Sequence, residues 1–340
     1  MKLIKTREAA GQVLCHDVTR IVKGVEKGPA FKKGHVITEE DIPVLLDMGK
    51  ENIYIWEVNE DMLHENDAAL ILYGLCKSEH LHPSEIIEGK IELIADTDGL
   101  LKVDSRKLNA INALGEMMIA SRHGNFPVKK GDKIAGTRVI PLVIEKEKME
   151  RAKEAAPGGE IFKILPFQKK SYGIVTTGSE VFYHRIEDTF TPVVMDKLKE
   201  YDAPFVGQEF SPDDAETTVK GIESLISRGA EIIICTGGMS VDPDDRTPLA
   251  IRKAADPGRV ITYGAPVLPG AMFMLAYRGD IPIIGLPGCV MYVQRTIFDL
   301  VLPRVMAGEI LTKNDFDILG EGGLCLNCEK CTFPNCGFGK

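Results

Sequence analysis

Three short runs in this sequence pair glycine with a hydroxyl residue or proline: Thr177-Gly178-Ser179, Thr236-Gly237-Gly238 and Leu286-Pro287-Gly288. Each closes an apolar stretch of strand character, at 172–176, 231–236 and 281–286. Glycine at the end of a strand lets backbone N–H groups close on an anion, and a following helix N-terminus adds favourable potential. One such turn reads first as a tight turn. Three that converge at the carboxyl ends of strands read as a ligand rim. No Gly-Lys-Ser/Thr follows, so this is not a P-loop, and the dinucleotide fingerprint is also absent. Acids gather at the same edge. Glu180 follows the first turn, Asp213 and Asp214 open a helix, and Asp242, Asp244 and Asp245 lie between Met239 and Pro248. Carboxylates beside a phosphate repel it unless a divalent cation intervenes. Mg²⁺ suits that task because it takes one or two carboxylates together with phosphate oxygens. Asp213 and Asp214 read equally well as helix caps.

Of eight cysteines, Cys325, Cys328, Cys331 and Cys336 crowd into the last sixteen residues with the spacing Cys-x2-Cys-x2-Cys-x4-Cys. In a reducing compartment such a cluster reads as a metal site before disulfides. The first three resemble the start of a bacterial iron–sulfur run, in which the fourth cysteine comes after three residues and precedes proline; here Gly337 follows. Four thiolates within twelve residues also suit tetrahedral Zn²⁺. Phe333, Pro334 and the glycines offer too little for a separate core, so the expectation is a tail ordered by its metal. Cys289 follows the third glycine turn and reads as a small buried apolar residue or a sulfur facing the rim. None of the seven histidines has His-x3-His spacing.

The elements that must position these residues divide into two styles. From Ser171 strands and helices alternate, with helices expected over 191–201, from Ser211-Pro212-Asp213-Asp214, and from the third turn to about Met306. Alternation of this kind gives a mainly parallel sheet with helices on both faces, a three-layer sandwich. The first 150 residues are short apolar runs broken by Gly, Asp and Lys, and predict a smaller β-rich α+β domain. Strands are expected at Ile53-Tyr54-Ile55-Trp56 and 91–94, a short capped helix after Thr38, and a helix from Ser105 to Ala120. Hairpin turns are expected at Gly34 and Gly131, whose shared Lys-Lys-Gly hints at a weak repetition. The charge run at 145–151 reads as solvated. The expected domains are 1–150, a linker at 151–170, the α/β domain at 171–310 and the Cys-rich tail at 311–340.

Residues 171–310 resemble the molybdopterin-binding domain of molybdenum-cofactor biosynthesis proteins. Thr177-Gly178-Ser179-Glu180 is similar to the first motif of that family. Thr236-Gly237-Gly238-Met239-Ser240-Val241 with Asp245 and Thr247-Pro248 is similar to the central one, and Gly285-Leu286-Pro287-Gly288 to the last. With its separate N-terminal region the chain resembles the MoeA-like molybdopterin molybdenumtransferases. The resemblance implies that Thr177, Gly178, Ser179, Gly237, Gly238, Ser240, Pro287 and Gly288 line a pocket for adenylylated molybdopterin. It implies that Glu180, Asp214 and Asp245 are catalytic, with Asp245 and Glu180 holding Mg²⁺ while the adenylate is cleaved and molybdate inserted. It further implies a homo-oligomer. The sequence departs from the family where a lysine-rich loop is usual: Val267-Leu268-Pro269-Gly270-Ala271-Met272 carries no cation. A bound dianion such as molybdate needs fixed positive charge. Arg246, Lys253 and Arg295 are the available substitutes. Two other readings therefore stand beside the transferase: a carrier or sensor that delivers the cofactor to a molybdoenzyme partner, and a molybdopterin adenylyltransferase.

The composition fits a globular chain of 340 residues with 44% hydrophobic and 27% charged residues. A net charge of −9 gives no electrostatic reason to hold nucleic acid or an anionic membrane surface. No stretch approaches 18 uninterrupted apolar residues, and the first eight residues lack the apolar block of a signal peptide, so the expected compartment is the cytoplasm.

Overall fold

The structure, a computed structural model, describes residues 2–22, 26–55 and 61–340. The chain divides into two compact units, one of Met1–Asp96, Val103–Arg122 and Lys130–Ile164, the other of Thr97–Lys102, His123–Lys129 and Leu165–Lys340.

The first unit is β-rich α+β. Its largest sheet is antiparallel, in the order Leu81–Pro83, Lys90–Ala95, Lys133–Val139, Met117–Ser121. Strict alternation buries Ile91, Leu93 and Ala95 on one face, against the helix Glu65–Cys76. Two-stranded ribbons pair Lys2–Lys5 with Asn52–Ile55 and Met62–His64 with Val143–Glu145. Around the first ribbon Leu14, Val18, Ile37, Leu45 and Ile53 form a small core. The strand expected at 53–56 is thus found at Asn52–Ile55, and Trp56 lies outside the described residues.

Two local expectations are corrected here. The helix beginning at Ser105 ends at Asn112, and Met117–Ser121 is a strand. Gly115 and Glu116 take positive φ and reverse the chain. The Asn112 amide then fastens the return by donating to the Ile119 carbonyl (2.9 Å) and accepting from its N–H (2.8 Å). Gly34 and Gly131 do adopt positive φ, but the strands flanking each pair with different partners, so neither is a hairpin. The charge run is a helix, Lys146–Ala155, whose Met149 and Ala152 are buried three residues apart while its charges cover the other faces.

The second unit is a three-layer α/β sandwich. Its six strands lie in the order Phe205–Ser211, Tyr172–Thr177, Ile232–Thr236, Ile281–Leu286, Met274–Arg278, Val260–Tyr263. The first four run parallel, and Met274–Arg278 is antiparallel to both neighbours. The central strands are apolar on both faces, as a sheet covered twice requires. Ile232 and Ile234 pack with Val194, Leu198, Phe298 and Val301 of the helices Phe190–Lys199 and Ile297–Met306. Ile233 and Cys235 pack on the other side with Ile222, Leu225 and Ile251 of Ala215–Ser227 and Thr247–Ala254. The helix expected from Ser211 begins at Ala215 instead, because Asp214 accepts from Thr217 N–H (2.8 Å) and makes itself the cap.

The Cys-rich tail is part of this unit. Phe338 is buried in its larger core, and Phe333, Cys325 and Cys336 pack against that core. Backbone bonds fasten it, from Leu268 N–H to the Gly323 carbonyl and from Cys325 N–H to the Leu268 carbonyl, both 2.8 Å. Packing against this core and these backbone bonds tie the tail to the rest of the unit. No helix among the described residues is long and apolar enough to cross a membrane.

Candidate functional site

Strand register brings the three glycine turns to one rim. Thr177 pairs with Ser211, Thr176 with Thr236, and Thr236 with Leu286, so four parallel strands end side by side. The chain leaves Tyr172–Thr177 for the neighbour on one side and returns to Ile232–Thr236 on the other. The crevice at that reversal is where open α/β sheets bind ligands.

The central turn is pressed against the first. Thr177 Oγ1 donates to the Thr236 carbonyl (3.1 Å) and lies 2.9 Å from Thr247 Oγ1. Gly237 has φ +82°, and a Cβ there would stand 2.3 Å from the Thr177 carbonyl oxygen; at Gly238, φ +54°, it would stand 2.8 Å from Thr247 Oγ1. Only glycine permits both the conformation and the approach. The backbone N–H groups of Gly238, Met239 and Ser240 donate to no acceptor among the described residues. Successive N–H groups left open at a strand's carboxyl end form an anion-binding concavity.

At the first turn Gly178 takes φ +130° and its N–H donates to the Ser211 carbonyl (3.1 Å). Ser179 N–H donates to an Asp213 carboxylate oxygen (2.9 Å), and Asp213 N–H faces Ser179 Oγ at 3.4 Å. Asp213 therefore ties the first turn to the loop after Phe205–Ser211. Asp214 accepts from both Thr217 N–H and Thr217 Oγ1. Those bonds hold its carboxyl below the usual range, and the group is committed to capping. Glu180 is exposed, with its carboxylate folded back towards Gly178. Asp245 is half-buried in the loop entering Thr247–Ala254, and its carboxylate has no hydrogen-bond or ion-pair partner among the described residues. Ser240 and Gly288 are exposed and Pro287 is buried under the third turn. The 3₁₀ turn Gly288–Met291 reaches back towards the first motif, with Thr189 Oγ1 3.8 Å from Met291 Sδ.

Large apolar side chains stand exposed on the loops after each turn: Tyr183 and Ile186 after the first, Val241 (86% exposed) after the second, Met291 and Tyr292 (77%) after the third. Such a set around polar backbone suits a flat heterocycle that carries a phosphate. Burial pushes the half-buried Cys289 thiol up, which keeps it protonated and supports the small apolar reading. Among the candidate substitutes for the missing lysines, Lys253 is paired with Glu216 and Arg295 with Asp299, while Arg246 has no ion pair among the described residues.

A polar knot lies beneath the first turn. Asp188 accepts from the N–H groups of Phe190 (2.9 Å) and Thr191 (3.1 Å), from Gln208 Nε2 (2.6 Å) and from Thr176 Oγ1 (3.2 Å). The available signal was Asp188 followed by Thr191-Pro192 ahead of an apolar-periodic stretch, a helix-start pattern. Burial alone would raise the Asp188 carboxyl, but the bonds from Thr191, Phe190 and Gln208 outweigh it and the net direction is down. A folded-state value below the unfolded one gives stability that is present above the unfolded value and lost as pH falls through the folded one. Asp188→Asn is therefore expected to lower the melting temperature at neutral pH, with the gap to wild type closing as pH drops below about 4. Melting curves across that range check it, and a gap independent of pH would contradict it.

Fold and rim together define a three-layer α/β domain whose glycine turns meet at the sheet's switch point. Residues 173–307 match the family described as a probable molybdopterin binding domain. Residues 3–57 match a domain of unknown function, DUF8806. No curated protein matches the chain. Among solved structures the chain is similar to the molybdopterin biosynthesis enzyme MoaB from Thermus thermophilus, at 23% identity over 41% of this chain and 98% of that one, TM-score 0.35. It is also similar to the tungsten cofactor synthesizing protein MoaB from Pyrococcus furiosus, at 17% identity over 41% and 92%, TM-score 0.33. The molybdopterin biosynthesis Mog protein from Mycobacterium ulcerans is similar at 16% over 40% and 92%, TM-score 0.33.

Proposed function

We propose that the C-terminal domain binds molybdopterin in its adenylylated form and, with Mg²⁺, cleaves the adenylate during molybdate insertion. The observation that carries the reading is the central turn: a glycine pair compressed against Thr177 and Thr247, with the backbone N–H groups of Gly238, Met239 and Ser240 meeting no acceptor among the described residues. Those groups would hold a phosphate, Gly178 and Ser179 would border it, and the exposed aromatic and apolar side chains would cover the ring. Arg246 would supply positive charge for an anionic second substrate.

The donor set fits Mg²⁺. Among the described residues no three His, Cys, Asp or Glu side chains form a preassembled metal centre, and Mg²⁺ needs none, since it takes one or two carboxylates and completes its shell with phosphate and water. Asp245, half-buried without a partner among the described residues, and Glu180 would hold it. When bound, the ion neutralises charge on the phosphoanhydride. Asp214 would act by fixing the start of Ala215–Ser227, and Asp213 by holding Ser179 N–H in place.

Adenylylated molybdopterin and Mg²⁺, with and without molybdate, test this directly. The expected result is stoichiometric binding with AMP released only when Mg²⁺ is present. No pterin binding would refute the reading.

One observation favours the carrier reading. The stretch matching the lysine-rich loop holds buried Val267, and its Leu268 backbone is paired with the tail. Tight binding with no AMP release at any molybdate concentration would establish a carrier, acting on a molybdoenzyme partner. ATP consumption with free molybdopterin would establish an adenylyltransferase. The resemblance also implies a homo-oligomer, which subunit counting by native mass spectrometry tests.

A further inference from the structure

The tail brings Cys325, Cys328, Cys331 and Cys336 around one cavity of about 310 Å³, shared with Arg295 and Phe333. Spacing alone left zinc and iron–sulfur equal, and the arrangement separates them. A Zn²⁺ ion bound at about 2.3 Å by four thiolates draws the sulfurs to roughly 4 Å from one another and leaves no space among them. The cavity that the four cysteines help to line is far larger than one ion, and among the described residues no three His, Cys, Asp or Glu side chains are set to hold one. An iron–sulfur cluster takes its four thiolates at separate corners and fills the middle with iron and sulfide.

A second observation points the same way. Arg295 enters the wall with its guanidinium beside Cys331, stacked 5.0 Å from the Phe333 ring centre and bonded through Nη1 to Asp299 (2.8 Å). Its Nε–H is buried and has no acceptor among the described residues. A buried donor left unpaired costs about 1–3 kcal/mol, so such a group marks a missing partner. Cluster sulfides and thiolates are anionic acceptors of that kind, and hydrogen bonds to them tune a cluster's potential.

We propose that these four cysteines ligate a 4Fe–4S cluster, with Arg295 as a positioning residue that donates to its sulfur. Ligation releases four thiol protons and needs no oxidant, since reconstitution supplies ferrous and ferric iron with sulfide. The site is already shaped by Phe126, Phe333 and Phe338 packing together, so the empty tail keeps its fold.

The test is anaerobic reconstitution of the full chain with iron and sulfide, then desalting. About four iron and four sulfide per chain should remain, with the broad visible charge-transfer absorption of a cubane cluster. Cys328→Ser alters an exposed residue, so it should leave the melting temperature within error while iron falls at least several-fold. Arg295→Lys should retain iron and shift the reduction potential to a more negative value. Retention of one zinc per chain in place of iron, loss of all metal on desalting, or full iron in Cys328→Ser would each overturn the proposal.

Discussion

Asp245→Ala is expected to abolish Mg²⁺-dependent AMP release from adenylylated molybdopterin while leaving the fold intact. The side chain lies in a loop and makes no hydrogen bond or ion pair among the described residues, so its removal takes nothing from the core. Its charge has no compensating partner among the described residues, and losing an electrostatic group of this kind from a phosphoryl-transfer site costs about 10²–10³ in rate. Pterin affinity should change little, because the N–H groups of Gly238, Met239 and Ser240 are untouched. AMP release against Mg²⁺ concentration, together with a melting curve, checks this. Unchanged turnover would remove Asp245 from the mechanism, and a collapsed melting temperature would make it structural.

Gly237→Ala is expected to have the largest effect on stability and on binding together. The new methyl would meet the Thr177 carbonyl oxygen at 2.3 Å, a backbone atom that cannot swing away, in a residue already at φ +82°. Left-handed strain alone costs about 1–2 kcal/mol. With the clash the expected loss is about 3–4 kcal/mol, in the range reserved for overpacking and strained backbone. For a domain of this size that lowers the melting temperature by roughly 10 °C. Gly229→Ala is the matched comparison: φ is +92° but nothing lies within 4 Å, so the strain term alone should appear. Equal losses in the two variants would show that the central turn is not compressed. Pterin binding should fall in Gly237→Ala and persist in Gly229→Ala.

The sequence determined the α/β layering of the second unit, because runs such as 231–236 are apolar without alternation, and only a strand covered on both faces accommodates that. It determined the three turns as well, since glycine at strand ends is a local signal. It misread the segment after Ser105, where apolar residues at helical spacing continue past Asn112 and only the positive φ at Gly115 and Glu116 sends the chain back as a strand. It could not assign the acids. Asp213 and Asp214 read equally as caps or rim carboxylates, and partners alone separate them from each other and from Asp245: Ser179 N–H for the first, Thr217 for the second, none among the described residues for the third. Asp188 stayed hidden for the same reason, its four donors coming from two strands and a helix start. The four tail cysteines were legible from spacing as a candidate metal site. Whether they surround an ion or a cavity depends on Phe333 and Phe338 anchoring the tail to a core formed far earlier in the chain, a long-range contact that no local pattern encodes.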